Sequence, residues 1–197
     1  MKKMFLFLFM ISCTSLRVSS EEGVFPVAEL DPVRYQGLWY EVASIPTSFQ
    51  KKCFRDVSAL YTYDAEAGLL KVLNSCTRQN AKVSKASGLA RVNPKLELDS
   101  QLQVTFVRLF GIPIWQFGGD YWVLSLDSEY QVSLVGGPDR DYAWILARTP
   151  SLSKSVLEGL KSVLLDNEYD PCSLVMTRNS EQDFTGEKPN LCQFLEN

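Results

Sequence analysis

The sequence contains no histidine. Histidine is the side chain that most often acts as a general base near neutral pH, and it is also the commonest metal ligand in proteins. Its absence excludes Ser-His-Asp and Cys-His catalysis and removes the usual ligand of zinc sites. No two cysteines have the close spacing of a zinc-binding pair either. We therefore predict a protein that has no metal site, no cofactor and no catalytic residues.

A cluster of basic residues is also missing. The chain has 20 lysines and arginines against 23 aspartates and glutamates, which gives a formal net charge of −3. A nucleic-acid-binding protein needs clustered positive charge to displace counterions from the phosphates. The composition therefore excludes a dedicated nucleic-acid binder, and it gives no indication of the oligomeric state.

The N-terminus has the pattern of an export signal. Positive charge in "MKK" precedes the apolar run "MFLFLFMISC", which is too short to span a membrane. Small residues then precede Glu21, so we predict a signal peptide over residues 1–20 and a secreted single domain over residues 21–197. In the alternative interpretation "MISC" is an imperfect lipobox. The signal then covers residues 1–12, and a lipidated Cys13 anchors a lipoprotein to a membrane.

Four cysteines remain once the export signal is set aside, and they are Cys53, Cys76, Cys172 and Cys192. An even number of cysteines in an exported protein predicts two disulfide bonds. Three pairings are compatible with four cysteines, and the spacing does not choose among them. The tail that follows Asn179 is polar, and Cys192 predicts that a disulfide tethers it.

The middle of the chain consists of short alternating apolar runs separated by turn residues, without a helical period. This pattern is typical of an antiparallel barrel or sandwich. We predict eight strands, at about 36–45, 55–63, 69–78, 85–92, 100–108, 120–126, 130–136 and 142–148.

The segment after the strands has a helical pattern. After Pro150, "SLSKSVLEGLKSVLLDN" begins with a serine cap signal. Its apolar residues predict one amphipathic helix packed outside the strands, with Val156, Leu157, Leu160, Val163 and Leu164 on the buried face. "CSLVMTR" predicts a short ninth strand.

Alternation within the strands indicates which side chains point inward. The predicted inner faces combine aromatic residues with small ones such as Ala59, Gly88 and Ala90. Eight strands can enclose a space for one small ligand, or side chains can fill the same space. Composition alone leaves the hollow barrel and the filled barrel equally open.

Three ordered motifs resemble the signatures of the lipocalin family. Gly37-Leu38-Trp39 resembles the opening Gly-x-Trp motif, "LSLDSEYQVSLV" the second motif, and "GGPDRDYAWILARTP" the third, which ends in Arg148. The resemblance extends from Glu29 to Arg178. It implies an up-and-down calyx whose closed end is formed by Gly37, Trp39 and Arg148, with the arginine lying across the tryptophan ring.

The resemblance also implies reversible binding of a small hydrophobic molecule, such as a fatty acid or a lysophospholipid. Combined with the alternation, it gives the residues expected to bind the ligand: Tyr61, Tyr63, Val72, Asn74, Arg78, Phe106, Val123, Tyr142 and Trp144. We expect Arg78 to point inward near the mouth and to pair with an acidic head group. The alternative for Arg78 is a solvated arginine at the rim that pairs with Asp139 or Asp141.

The stretch "RLFGIPIWQFGG" places Phe110, Ile112, Ile114 and Trp115 in a loop at the open rim. Such an apolar loop forms a lid, contacts a membrane or lipid surface, or folds back on its own barrel.

The resemblance also bears on the disulfide pairing. Within the family, a cysteine near the second strand joins one in the tail, which favours Cys53–Cys192 and leaves Cys76–Cys172. The alternative pairing is Cys53–Cys76 with Cys172–Cys192, and it stays open because Cys53 and Cys76 lie near each other on paired strands.

Two other functions stay open at this point. One is a lipid-modifying enzyme on the same scaffold that uses Cys76 as a nucleophile, although no histidine is available to activate it. The other is an interaction protein with a filled barrel that uses the rim loop as its binding surface.

Overall fold

A computed structural model describes residues 23–197 of the chain. The predicted signal peptide (residues 1–20 or 1–12) and Cys13 lie outside the described residues, so export and lipid anchoring stay predictions. None of the helices in the described part is long and apolar enough to cross a membrane.

Eight antiparallel strands form a closed barrel, as predicted. The strands are β1 (Gly37–Ser44), β2 (Arg55–Asp64), β3 (Leu69–Thr77), β4 (Val83–Val92), β5 (Gln101–Thr105), β6 (Arg108–Leu109), β7 (Ile112–Pro113), β8 (Gly119–Leu126), β9 (Val132–Gly136) and β10 (Trp144–Ala147). The barrel sheet runs β10-β9-β8-β5-β4-β3-β2-β1, and β1 pairs with β10 to close the ring. A small hairpin, β6–β7, lies in the loop between β5 and β8 and belongs to a separate two-stranded sheet.

The fifth strand is shorter than predicted, because its pairing with β8 ends near Val104. The Thr105 hydroxyl donates a hydrogen bond to the carbonyl of Ile114 at 3.0 Å, so a side chain takes over the role of the next ladder bond. The chain then leaves the barrel wall, and residues 106–118 form the rim loop, which contains the β6–β7 hairpin.

Three helices flank the barrel: α1 (Pro32–Tyr35), α2 (Lys154–Asp166) and α3 (Leu191–Glu196). The predicted helix is α2, and the Ser153 side chain caps it by accepting a hydrogen bond from the amide of Val156. Leu157, Leu160 and Leu164 are buried against the outside of the barrel. Val156, predicted to lie on this face, is instead 38% exposed because it lies at the edge of the helix face.

The predicted ninth strand is β11 (Val175–Met176), which pairs with the end of β1 outside the ring. The two short helices α1 and α3 were not predicted, since neither is long enough to show a hydrophobic period. Each is identified by its cap instead. Asp31 accepts hydrogen bonds from the first amides of α1, and Asn190 forms a capping box with Gln193 at α3.

The disulfides are Cys53–Cys76 and Cys172–Cys192. The favoured pairing, Cys53–Cys192 with Cys76–Cys172, is therefore wrong, and the pairing kept open from strand adjacency is the one observed. The reason is geometric: Cys53 lies two residues before β2, and Cys76 lies near the end of its neighbour β3, with Cα atoms 5.5 Å apart. Cys192 tethers the tail to Cys172, outside the barrel wall.

The closed end of the barrel is built on one stacked pair. Trp39 is completely buried, and its indole Nε1–H donates to the carbonyl of Tyr35 at 2.8 Å. The guanidinium carbon of Arg148 lies 3.8 Å from the centroid of the Trp39 ring. Arg148 also donates to the carbonyls of Gln36 and Leu38 at 2.8 Å each. The arginine thereby joins the last barrel strand to the segment that enters the first.

Gly37 lies next to this pair because no larger residue fits there. Its φ of +102° lies in the left-handed region, and a Cβ atom at this position would lie 3.1 Å from Nη1 of Arg148. The Gly-x-Trp spacing of the sequence therefore has a steric cause: the glycine leaves room for the arginine that covers the tryptophan.

We predict that Arg148→Lys lowers the free energy of unfolding by about 2–3 kcal/mol. Lysine cannot stack a planar group on the indole while it also donates to several carbonyls. The matched control is Arg91→Lys. Arg91 stacks on Trp115 at 4.2 Å and donates one side-chain hydrogen bond, to Gln103. This control should lose about 1 kcal/mol or less. Urea denaturation followed by circular dichroism measures the free energy of unfolding of both variants. Equal losses in the two variants would contradict the conclusion that Arg148 stabilises the closed end.

Candidate ligand-binding site

A cavity of about 480 Å³ occupies the barrel, above the stacked pair. The rim loop and the β1–β2 connection surround its open end, and most of its wall is apolar. Six of the nine residues predicted to bind the ligand line it: Tyr61, Val72, Asn74, Phe106, Tyr142 and Trp144. Alternation brings them together, since they come from four separate segments of the chain.

The other three residues lie elsewhere, so their assignment to the cavity wall is corrected. Val123 is completely buried and packs with Trp39 and Tyr35 below the cavity, where the barrel is filled. Tyr63 lies at the closed end, where its amide donates to the side chain of Gln36.

Arg78 follows the last residue of β3 and is exposed, outside the cavity. Its guanidinium donates to the Ser84 hydroxyl at 3.2 Å and forms no ion pair with Asp139 or Asp141. Both the inward orientation and the rim pairing predicted for it are therefore wrong. Arg78 instead lines a surface groove beside the mouth, together with Lys51 and Lys52.

Small inward residues do not all leave empty space. A Cβ atom on Gly88 would lie 2.9 Å from the ring of Phe106, so this ring occupies the place of the missing side chain. Ala59 and Ala90, by contrast, line the cavity directly. The open volume thus depends on the alanines more than on the glycine.

Three tyrosines form a hydrogen-bonded cluster on the floor of the cavity. The Tyr121 hydroxyl lies 2.8 Å from that of Tyr35 and 3.0 Å from that of Tyr61, and Tyr35 continues to the Ser133 hydroxyl at 3.1 Å. Burial raises the pKa of Tyr35 to about 12 and also raises the pKa values of Tyr61 and Tyr121. The floor is therefore an uncharged surface that can donate or accept a hydrogen bond.

Sequence reasoning missed two members of this cluster. Tyr121 was detectable, because it lies two residues before Val123 and therefore shares its inward parity. Tyr35 precedes the first strand in the one-turn helix α1, where no alternation exists to reveal its direction.

Charged residues that alternation did not identify also line the cavity near its mouth. Glu41 on β1 is 6% exposed and lines the cavity beside Gln50, and Asp120 at the start of β8 also lines it. The Tyr142 hydroxyl donates to the backbone carbonyl of Asp120 at 2.5 Å. Lys52 and Lys85 also line the cavity.

The rim loop is partly folded down and partly exposed. Trp115 packs on Arg91, and its carbonyl accepts a hydrogen bond from the Gln103 side chain at 3.0 Å. Ile114 is likewise half-buried. Phe110 at the hairpin tip is 96% exposed, and Ile112 is 65% exposed.

The family model for the "Lipocalin-like domain" matches residues 30–179, which is most of the chain. The chain belongs to the lipocalin family. It is 38% identical to temperature-induced lipocalin-1 of Arabidopsis thaliana, over 79% of this chain and 82% of that protein. It is 36% identical to apolipoprotein D of Macaca fascicularis, over 77% and 79%. It is 32% identical to the outer membrane lipoprotein Blc of Escherichia coli K12, over 81% and 84%.

Solved structures agree on the fold. Insecticyanin of the tobacco hornworm superposes with a TM-score of 0.62 at 20% identity, covering 82% of this chain and 85% of that one. The cockroach allergen Per a 4 superposes with a TM-score of 0.58 at 18% identity, over 79% and 91%. These identities establish the lipocalin barrel and not the ligand.

The tyrosine cluster predicts a specific loss of stability in alkali. Each cluster hydroxyl titrates near pH 10 in the unfolded chain and higher in the folded one. Its contribution is therefore complete below pH 10 and falls progressively as the pH rises above 10. The slope is about 1.4 kcal/mol per pH unit for each hydroxyl.

Tyr121→Phe should reduce this slope in urea denaturation measured at several pH values from 8 to 11. Tyr40→Phe, on the outer face of β1, is the matched control and should retain it. An unchanged slope in Tyr121→Phe would contradict the cluster's role.

Proposed function

We propose that this lipocalin binds and carries a small hydrophobic molecule, such as a fatty acid or lysophospholipid, in the barrel cavity. The observation that carries the proposal is the apolar cavity of about 480 Å³, closed below by the tyrosine floor and open above. Burial contributes about 0.8 kcal/mol per methylene, so ten methylenes contribute roughly 8 kcal/mol before the costs of association. This gain suffices for reversible binding without chemistry.

The binding is non-catalytic in this proposal. Cys76, the nucleophile that an enzyme on this scaffold would use, is joined to Cys53 in a disulfide. No histidine exists to activate a hydroxyl or a thiol. The side chains that line the cavity are suited to contact a ligand rather than to transform it.

We place this activity outside the cytoplasm. The two disulfides favour an oxidising compartment. The N-terminal sequence supports secretion after cleavage before Glu21 or, alternatively, anchoring through a lipidated Cys13. The relative Blc is named as an outer membrane lipoprotein, which supports the second route.

Ala86→Trp should reduce the affinity for a fluorescent fatty acid by about tenfold or more, because Ala86 lines the cavity and the indole narrows it. The matched control is Ser87→Trp, whose side chain is exposed and absent from the cavity wall, and it should bind like the unmodified protein. Displacement titration measures both variants. The proposal fails if the unmodified protein takes up no lipid, or if Ala86→Trp binds as well as Ser87→Trp.

We also propose that the rim loop contacts a lipid bilayer surface. The tip residues Phe110 and Ile112 are exposed, and so is Phe117 beside the mouth, at 73%. Between Phe106 and Gly119 the only charged residue is Arg108. An apolar tip with a positive charge suits an anionic bilayer, and it would place the mouth of the cavity at the source of its ligand.

Phe110→Asp should abolish most co-flotation with vesicles of phosphatidylcholine and phosphatidylglycerol, because a carboxylate opposes both insertion and the surface charge. Leu165→Asp is the matched control, since Leu165 is 56% exposed on α2, away from the mouth. It should float as the unmodified protein does. Flotation that is equal in both variants would eliminate the bilayer contact and leave cavity binding intact.

A further inference from the structure

We propose that the Cys53–Cys76 disulfide is a site of thiol–disulfide exchange with a small thiol of net negative charge, such as glutathione. The product is a mixed disulfide on Cys53. This reaction takes place in the surface groove beside the mouth and needs no ligand in the barrel, so it is independent of the proposed function. The disulfides Cys53–Cys76 and Cys172–Cys192 lie in different surroundings, and their differences in access and charge support the proposal.

The two cysteines of the Cys53–Cys76 disulfide differ in their access to the solvent. Cys53 is half-buried and lines the surface groove, which has a volume of about 410 Å³. Cys76 is 4% exposed and lines the barrel cavity without lining the groove. In thiol–disulfide exchange a thiolate attacks one sulfur and the other sulfur leaves. A thiolate in the groove therefore attacks Cys53, and Cys76 is the leaving group.

The groove around Cys53 is positively charged. Lys51 and Lys52 directly precede Cys53 in the β1–β2 connection, and Arg78 begins the β3–β4 connection beside it. All three cations line the groove, no carboxylate among residues 23–197 lines it, and none of the three forms an ion pair there. Positive charge attracts an anionic thiol and favours its thiolate, which is the form that attacks.

Two carboxylates on the adjoining strands already have partners, so they do not neutralise the groove. Asp56 on β2 pairs with Arg55 at 2.8 Å, and its second oxygen accepts a hydrogen bond from the amide of Ser180. Glu41 on β1 lines the cavity instead of the groove, and its oxygens accept hydrogen bonds from three neutral side chains, including Gln50. The positive charge of the groove is therefore available to an anionic thiol.

The leaving sulfur has a hydrogen-bond donor nearby. Ser84 lies opposite Cys76 in the β3–β4 pair, and both residues line the cavity. Cross-strand partners on one face have Cβ atoms about 4.5–5.5 Å apart, which places the hydroxyl within reach of the sulfur. The Ser84 hydroxyl accepts a hydrogen bond from Arg78 at 3.2 Å, so its own proton can be donated to the departing thiolate.

The exchange step conserves atoms and electrons. The incoming thiolate attacks Sγ of Cys53, a new sulfur–sulfur bond forms, and the bond to Cys76 breaks. The incoming sulfur is oxidised and the Cys76 sulfur is reduced. The Cys76 thiolate then takes up a proton from water, which leaves a thiol at Cys76 and a mixed disulfide at Cys53.

The Cys172–Cys192 disulfide provides an internal control because its surroundings have the opposite charge. Cys172 is exposed, and its amide donates to the carboxylate of Asp170 at 2.9 Å. Access alone would make this disulfide the first to react with any thiol. Charge instead makes an anionic thiol favour Cys53. The two effects can therefore be separated within one protein.

The test measures the rate at which glutathione, and separately the cationic thiol cysteamine, cleaves each disulfide of the native protein. Samples are quenched with acid, and mass spectrometry of peptides locates the adducts. The ratio of the glutathione rate to the cysteamine rate should be about fivefold higher at Cys53–Cys76 than at Cys172–Cys192. This comparison cancels the intrinsic reactivity of each thiol. In about 0.5 M salt the difference should largely disappear.

A double variant tests the role of charge directly. Lys51→Gln combined with Lys52→Gln should lower the glutathione rate at Cys53–Cys76 about threefold and should not lower the cysteamine rate. Both lysines are exposed, so the variant should fold normally. Lys95→Gln, which is exposed in the β4–β5 connection at the closed end, is the matched control and should change neither rate.

Equal thiol preference at the two disulfides, or a preference that the double variant retains, would overturn the proposed exchange site. A glutathione adduct that forms on Cys76 or Cys172 in place of Cys53 would overturn it as well. Lipid uptake by the cavity is measured separately, so each of these results leaves the proposed function standing.

Discussion

The stacking of Arg148 on Trp39 is the contact on which the rest of the barrel depends. It joins the end of β10 to the start of β1 at the point where the ring of strands closes. A guanidinium held over an indole face is favourable, more so when water is excluded. Because this contact seals one end, the other end can stay open without exposing the core. The glycine at position 37 exists to make room for it.

The interior changes in character from this closed end to the mouth. Apolar packing around Trp39 gives way to three uncharged tyrosine hydroxyls, then to an apolar cavity, and finally to the open mouth. Under the proposed function, the tyrosine floor accommodates a polar atom of the ligand and the cavity wall accommodates its apolar body.

Much of this structure was predictable from the sequence, for reasons that individual residues show. Alternation located the inner faces of β2, β3, β5 and β10, because burial of one face of a sheet fixes the parity of every side chain on the strand. Parity does not show how far along the barrel axis a residue lies, so Tyr63 and Val123 were expected in the cavity although they lie below it. The predicted inward orientation of Arg78 was wrong for a related reason, since β3, whose alternation would direct the side chain inward, ends one residue earlier. Tyr35 lies on a helical turn that has no strand period, and its place on the floor depends on tertiary packing.

The most direct measurement of the central claim is native mass spectrometry of the protein purified from its own source without added lipid. A hollow barrel sealed by Arg148 and Trp39 predicts one lipid-sized adduct per chain. Extraction of that adduct should leave a folded protein that takes up one fluorescent lipid in its place. A folded protein that carries no adduct and takes up no lipid would contradict the account.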